Sequence, residues 1–94
     1  MCIRDRVVIV TGSSQGIGRA VAQRLLELGA HVVINGRNES KLERVANQLL
    51  QQHSNVMAVR GDVANYQDCQ EIVRRTHARF GRIDILINLS LIHI

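Results

Sequence analysis

The chain has 94 residues, of which 46% are hydrophobic, and a formal net charge of +4. A chain of this length forms one small domain, and its apolar content argues against disorder. No apolar run approaches the ~18 residues of a membrane span. The basic residues are dispersed and lack interleaved aromatic side chains, which argues against a nucleic-acid surface.

The cysteine and histidine positions give no sign of a metal site. Cys2 and Cys69 form neither a disulfide framework nor a set at ligand spacing. His31, His53 and His77 stand singly at the edges of predicted elements, where we expect solvated rings and no ligand cluster. The N-terminal residues lack the apolar stretch of a secretory signal. We therefore expect a cytoplasmic protein without a metal ion.

Four short apolar runs, rich in β-branched residues, predict strands. They span residues 7–10, 32–34, 56–59 and 83–87. The runs do not alternate between apolar and polar residues, which is typical of parallel strands covered on both faces.

Three amphipathic segments between these runs predict helices. The first ends at Gly29, the second begins at the N-cap Asn38, and the third begins at Asn65 and ends at Gly81. The residues that we expect to face the core are Ile17, Val21, Leu25 and Leu28 in the first, Leu42, Val45, Ala46 and Leu49 in the second, and Cys69, Ile72, Val73, Thr76 and Phe80 in the third.

The resulting order is βαβαβαβ, with a helix between each pair of strands. Such crossovers are right-handed and connect parallel strands. The sequence therefore predicts an α/β fold with a doubly wound, mainly parallel sheet, and a ligand beyond the carboxyl ends of its strands.

A glycine-rich loop lies between the first strand and the first helix, where residues 11–18 read T-G-S-S-Q-G-I-G. We expect Gly12 to allow the turn out of the strand, Gly16 to allow close backbone approach, and Gly18 to let the helix pack on its strand. The N–H groups at the start of a helix favour a phosphate. No Gly-Lys-Ser/Thr follows, so the loop is not a Walker loop. A tight turn with glycines for packing alone remains the alternative.

Two further positions fit a dinucleotide. A carboxylate at the end of the second strand would accept ribose hydroxyls, but Gly36 and Arg37 stand there. A guanidinium offers bidentate donors to a 2′-phosphate, which a carboxylate would repel. After the third strand, Asp62 could accept the adenine amino group while Val63 packs on the ring. The alternatives are a solvated turn residue at Arg37 and a turn-forming aspartate at Asp62.

Together, the loop, the stretch Asn35-Gly36-Arg37-Asn38, the pair Asp62-Val63 and residues 84–88 resemble the N-terminal half of the short-chain dehydrogenase/reductase family. The similarity runs from about residue 7 to residue 88 and implies a Rossmann-type fold that binds a nicotinamide cofactor. The cofactor-binding residues that the resemblance implies are Gly12, Ser13, Ser14, Gln15, Gly16, Ile17, Gly18, Gly36, Arg37, Asn38, Asp62, Val63 and Asn88.

The resemblance also assigns roles to these positions. Residues 12–17 would hold the pyrophosphate and the adenosine ribose, Asn88 would line the cofactor, and Arg37 would select NADP, with NAD as the less favoured cofactor. Gln15 departs from the many NADP-using members that carry a basic residue there.

The family's catalytic Ser and Tyr-x-x-x-Lys motif have no counterpart in this sequence. Four residues after Tyr66 stands Gln70, and we interpret Tyr66 as a surface residue. We expect a partial domain at residues 7–88, truncated after the fourth strand, with non-native ends at residues 1–6 and 89–94.

The implied parent protein is a homo-oligomeric oxidoreductase that moves hydride between the nicotinamide and a carbonyl or alcohol substrate. Reduction of a 3-oxoacyl thioester is one such activity. The alternative is a dinucleotide-binding module without catalysis of its own.

Overall fold

Strands and helices alternate along the chain in the computed structural model, which describes residues 3–12 and 16–89. The elements are β1 (Val7–Thr11), α1 (Gly16–Glu27), β2 (His31–Gly36), α2 (Glu39–Leu50), β3 (Val56–Arg60), α3 (Tyr66–Phe80) and β4 (Ile85–Asn88). The predicted order is confirmed. The fourth strand begins two residues later than predicted, because Asp84 lies outside it and its side chain binds the backbone of β1.

The four strands form one parallel sheet in the order β3-β2-β1-β4. Val7 pairs with His31 on one side of β1, and Thr11 pairs with Asn88 on the other. The chain thus moves outward from β1 to β3 and then returns through α3 to the opposite side of β1. This is the predicted Rossmann-type, doubly wound sheet, and its switch point lies between β1 and β4.

The core lies on both faces of the sheet. Val8 and Val10 of β1 point to the face covered by α1 and α2, whereas Ile9 belongs to a second cluster that includes Ile72 of α3. Both faces of the two central strands are therefore buried, which explains why their sequences read as continuous apolar runs.

The helix ends follow the predicted caps. The Asn38 side chain accepts a hydrogen bond from the Lys41 N–H at 3.0 Å, and Asn65 accepts one from the Asp68 N–H at 3.1 Å. After α1, the Ala30 N–H donates to the Leu25 carbonyl, the long bond of a Schellman motif. These caps fix where each helix begins or ends relative to the sheet.

The buried face of α2 is the predicted one, but that of α1 is not. Ile17 is 74% exposed and Leu28 is 44% exposed. The residues that α1 buries instead are Gly18, Ala22 and Leu26. The helix approaches the sheet through its small residues, so its apolar face is rotated by about one residue, with Val21 and Leu25 at its half-buried flank.

The prediction that every strand is covered on both faces is wrong for β4. Ile85 and Ile87 pack against the first core cluster, but Leu86 on the opposite face is 63% exposed. The helix on that side, α3, packs against β2 and β3. Val73 of α3 is also 49% exposed, against the prediction.

Asp84 joins the amino ends of β1 and β4. Its Oδ2 accepts the Val7 N–H at 2.8 Å, and its Oδ1 accepts Arg82 Nη2–H at 2.6 Å. Arg6 Nη1 lies 3.4 Å from the same Oδ1. The backbone N–H of Val7 is the main cause that lowers the pKa of the Asp84 carboxyl below its ordinary 3.8, with Arg82 and Arg6 adding to it and desolvation opposing it.

Because the folded-state pKa is lowered, this carboxylate contributes stability above about pH 4 that is lost as the pH falls through the lowered value. We expect Asp84→Asn to be less stable than the unaltered chain at neutral pH and to lose less stability on acidification. Urea unfolding at about pH 7 and about pH 3 measures both. An equal loss on acidification in the two proteins would contradict the assignment.

Candidate functional site

The carboxyl ends of all four strands meet at one edge of the sheet. Their last residues, in the spatial order of the strands, are Arg60, Gly36, Thr11 and Asn88. Four neighbouring strands span three interstrand spacings, roughly 14 Å. The predicted cofactor-binding residues therefore fall into two groups along one edge, one at the switch point and one beside β2 and β3.

Thr11 and Asn88 close the switch point. The buried Thr11 hydroxyl donates to Asn88 Oδ1 at 2.9 Å and accepts the Leu89 N–H at 3.2 Å. These bonds hold the ends of β1 and β4 together directly below the glycine loop. No role was predicted for Thr11, although a hydroxyl residue at the end of an apolar strand was the available signal.

The glycine loop begins with a backbone turn that requires glycine. Gly12 has φ +68° and Gly16 has φ +48°, both in the left-handed region. A Cβ at Gly16 would meet nothing within 4 Å, so its left-handed φ, and not crowding, is what favours glycine there. Gly18 lies on the buried face of α1 as predicted. Ser13, Ser14 and Gln15 lie outside the described residues.

The first turn of α1 carries no acidic residue. Its N–H groups are therefore not neutralised by a carboxylate of their own turn and favour an anion. Ile17, in that turn, is 74% exposed.

The second group of residues borders an open cleft of about 460 Å³ at the ends of β2 and β3. The residues that line this cleft are Arg37, Arg60, Gly61, Asp62 and Asp68. Gly36 pairs with Arg60 across the two strands, and its carbonyl accepts the Gly61 N–H at 3.1 Å. The cleft therefore follows directly from the register of the sheet.

Asn35 fixes the floor of this cleft. Its side chain is buried, and Nδ2 donates to the Val59 carbonyl at 2.9 Å and to the Gly61 carbonyl at 3.2 Å. One side chain of β2 thus positions the backbone on which Arg60 and Asp62 stand. The sequence pattern contained Asn35 but did not indicate this role.

Asp62 forms a turn, as its alternative interpretation proposed. Its Oδ1 accepts the Ala64 N–H at 2.9 Å, and its own N–H donates to Asp68 Oδ2 at 2.9 Å. Val63 is half-buried against the second core cluster. The turn places Asp62 in the lining of the cleft, with Val63 next to it in the chain.

Arg37 and Arg60 give the cleft a cationic rim. Both side chains are exposed, and neither makes an ion pair with any residue that the structure describes. Asn38, predicted to bind the cofactor, caps α2 with its side chain, which holds the Arg37 turn against the helix. An anion is the ligand that such a rim favours.

Several other groups stand apart from this edge. Tyr66 is 76% exposed at the start of α3, which confirms it as a surface residue. The prediction of solvated rings is wrong for His31 and His53, since His31 Nδ1 and His53 Nε2 are buried and His31 packs 5.2 Å from the Phe80 ring. Within residues 3–12 and 16–89, no three metal-binding side chains cluster and no helix is long and apolar enough to cross a membrane.

Comparison with known proteins places nearly all of the chain in one family. The model of the short chain dehydrogenase family matches residues 6–90. An uncharacterized oxidoreductase of Staphylococcus aureus strain USA300 is 45% identical over 86 residues. That match covers 92% of this chain and 36% of the relative, so the chain spans about a third of the relative's length.

Solved structures agree with this relationship. A short chain dehydrogenase from Bacillus anthracis has a TM-score of 0.87 and 40% identity, covering 96% of this chain and 36% of that one. The 3-ketoacyl-(acyl-carrier-protein) reductase from Brucella melitensis, complexed with NADH, has a TM-score of 0.82 and 32% identity. The match covers 89% of this chain and 33% of the reductase chain.

We expect Thr11→Val to lower the free energy of unfolding by about 1–2 kcal/mol, because the Leu89 N–H and the Asn88 side chain lose the buried hydroxyl as a partner. Thr11→Ser, which keeps the hydroxyl, should lose less than half as much. Urea titration of the three proteins measures the difference. A valine variant as stable as the unaltered chain would contradict the role of the hydroxyl, because valine keeps the methyl group and lacks only the hydroxyl.

Proposed function

The chain belongs to the short-chain dehydrogenase family, and we propose that it forms the cofactor-binding part of an NADP-dependent oxidoreductase. The observation that carries the proposal is one edge of the sheet. There two left-handed glycines lead into a first turn of α1 without acidic residues, and Arg37 and Arg60 line the cleft at the ends of β2 and β3. A dinucleotide bound along this edge would have its phosphates at the glycine turn and its adenosine at the cleft.

In this arrangement the loop of residues 12–17 binds the pyrophosphate and the adenosine ribose, with Ser13, Ser14 and Gln15 supplying polar groups. Asn88 lines the cofactor where β4 ends. The Asp62 carboxylate accepts the adenine amino group through the oxygen that faces away from its turn, and the exposed part of Val63 packs on the ring.

The preference for NADP rests on the end of β2. Gly36 leaves no carboxylate to bind ribose hydroxyls, and Arg37 extends from the next position without an ion-pair partner in the described part of the chain. A 2′-phosphate carries about −1.5 to −2 charges at neutral pH and is attracted to such a group. The Brucella reductase is complexed with NADH, so family membership alone does not choose the cofactor.

The bound nicotinamide would supply hydride transfer to or from a carbonyl or alcohol substrate. Reduction of a 3-oxoacyl thioester is one reaction of this class, and the name of the Brucella reductase describes a related one. A cytoplasmic homo-oligomer and a domain boundary at residues 7–88 remain predictions of the sequence.

A dinucleotide-binding module without catalysis is the second candidate, and one observation favours it. Tyr66, the one tyrosine among the described residues, is exposed on α3. No lysine pairs with it there to make it a proton donor. Turnover of a carbonyl substrate by the 94-residue chain would contradict this candidate.

We expect Arg37→Asp to lower the ratio of NADPH to NADH affinity at least about tenfold, equivalent to about 1.4 kcal/mol, because a carboxylate repels the 2′-phosphate and accepts ribose hydroxyls. Quenching of the reduced cofactors' fluorescence measures both affinities. Arg37→Lys is the matched control and should keep the preference for NADPH. An unchanged ratio in the aspartate variant would contradict the assignment of Arg37.

A further inference from the structure

Arg60, the last residue of β3, is a second cation at the cleft, which neither the sequence pattern nor the family resemblance singled out. We propose that Arg60 binds the 2′-phosphate of NADP together with Arg37 and so helps to determine cofactor specificity. The inference rests on the proposed function, since it concerns the same cleft.

The sheet register brings the two arginines together. Arg60 pairs with Gly36, and paired residues of neighbouring strands point to the same face of the sheet. Since Gly36 has no side chain, the Arg60 side chain can cross its position toward the turn after β2. There Arg60 Nε–H donates to the Arg37 carbonyl at 3.3 Å.

This hydrogen bond leaves the outer part of the Arg60 guanidinium available. Within the described residues, its terminal amino groups make no hydrogen bond or ion pair, and the Arg37 side chain makes none either. Both arginines line the same cleft, so an anion bound there can be attracted by both charges. A phosphate monoester offers three oxygens and close to two negative charges.

The two carboxylates that line the same cleft do not form ion pairs with the two arginines. Asp68 accepts the Asp62 N–H, and Asp62 accepts the Ala64 N–H, so each is held in the local turn after β3. The nearest acidic residue along the chain from Arg37, Glu39, makes no ion pair with it. The Arg60 side chain thus reaches Arg37 at the turn after β2, whereas the carboxylates of Asp62 and Asp68 lie around the turn after β3. This arrangement fits a phosphorylated ribose beside an adenine.

The test compares 2′,5′-ADP, which carries the phosphate in question, with 5′-AMP, which lacks it. Isothermal titration of the 94-residue chain should give tighter binding of 2′,5′-ADP. Arg60→Gln should weaken 2′,5′-ADP binding about fivefold and leave 5′-AMP binding unchanged, because one charged hydrogen bond at an exposed site is lost. Arg75→Gln, which removes an exposed charge from α3, should change neither.

A double substitution separates direct contact from an effect through the Arg37 turn. If Arg60 touches the phosphate, adding Arg60→Gln to Arg37→Gln weakens 2′,5′-ADP binding further. If the second substitution has no effect in that background, Arg60 only positions Arg37, and the proposal is overturned.

The remaining outcomes are also decisive. An unchanged ratio of the two affinities in Arg60→Gln, or equal loss of both nucleotides, would overturn the role of Arg60 while leaving the proposed function intact. An unaltered chain that binds 2′,5′-ADP no more tightly than 5′-AMP would instead contradict the proposed preference for NADP.

Discussion

The parallel pairing of β1 with β2 on one side and β4 on the other is the constraint on which the site depends. Parallel strands end at the same edge, so residues far apart in the sequence, Thr11, Gly36, Arg60 and Asn88, become neighbours there. The reversal of strand order at β1 opens the crevice, and α1 begins at that point. The positions of the glycine loop and of the cleft lined by Arg37 and Arg60 therefore follow from one topology.

Polar side chains at the two ends of the strands fix the positions of those ends. Thr11 joins the ends of β1 and β4, Asn35 joins those of β2 and β3, and Asp84 joins β1 to β4 at the opposite edge. Each satisfies backbone groups that the sheet alone would leave unpaired where its ladder ends. Stability and the geometry of the site thus depend on the same few hydrogen bonds.

The sequence predicted the parts of this fold that follow from local patterns. The caps of α2 and α3, the strand order along the chain and the face of α2 are local, and they are confirmed. The face of α1 was wrong because large apolar residues were weighted above Gly18 and Ala22, although close packing favours small ones. Thr11, Asn35 and Arg60 escaped prediction because their roles arise from pairing between strands, which a single sequence does not display.

Gly36 connects these observations, because its missing side chain has two effects. It removes the carboxylate that would bind ribose hydroxyls, and it leaves the position paired with Arg60 open toward the turn that carries Arg37. In the proposed function, both effects would favour hydrogen-bond donors over acceptors at this end of the cleft, and thus a phosphate over ribose hydroxyls. Since both arginines are exposed and without ion pairs to other described residues, they contribute little to folding, and their charge remains available to the ligand. In the proposed function, specificity in this cleft would therefore be set by the carboxylate that β2 lacks as much as by the two arginines.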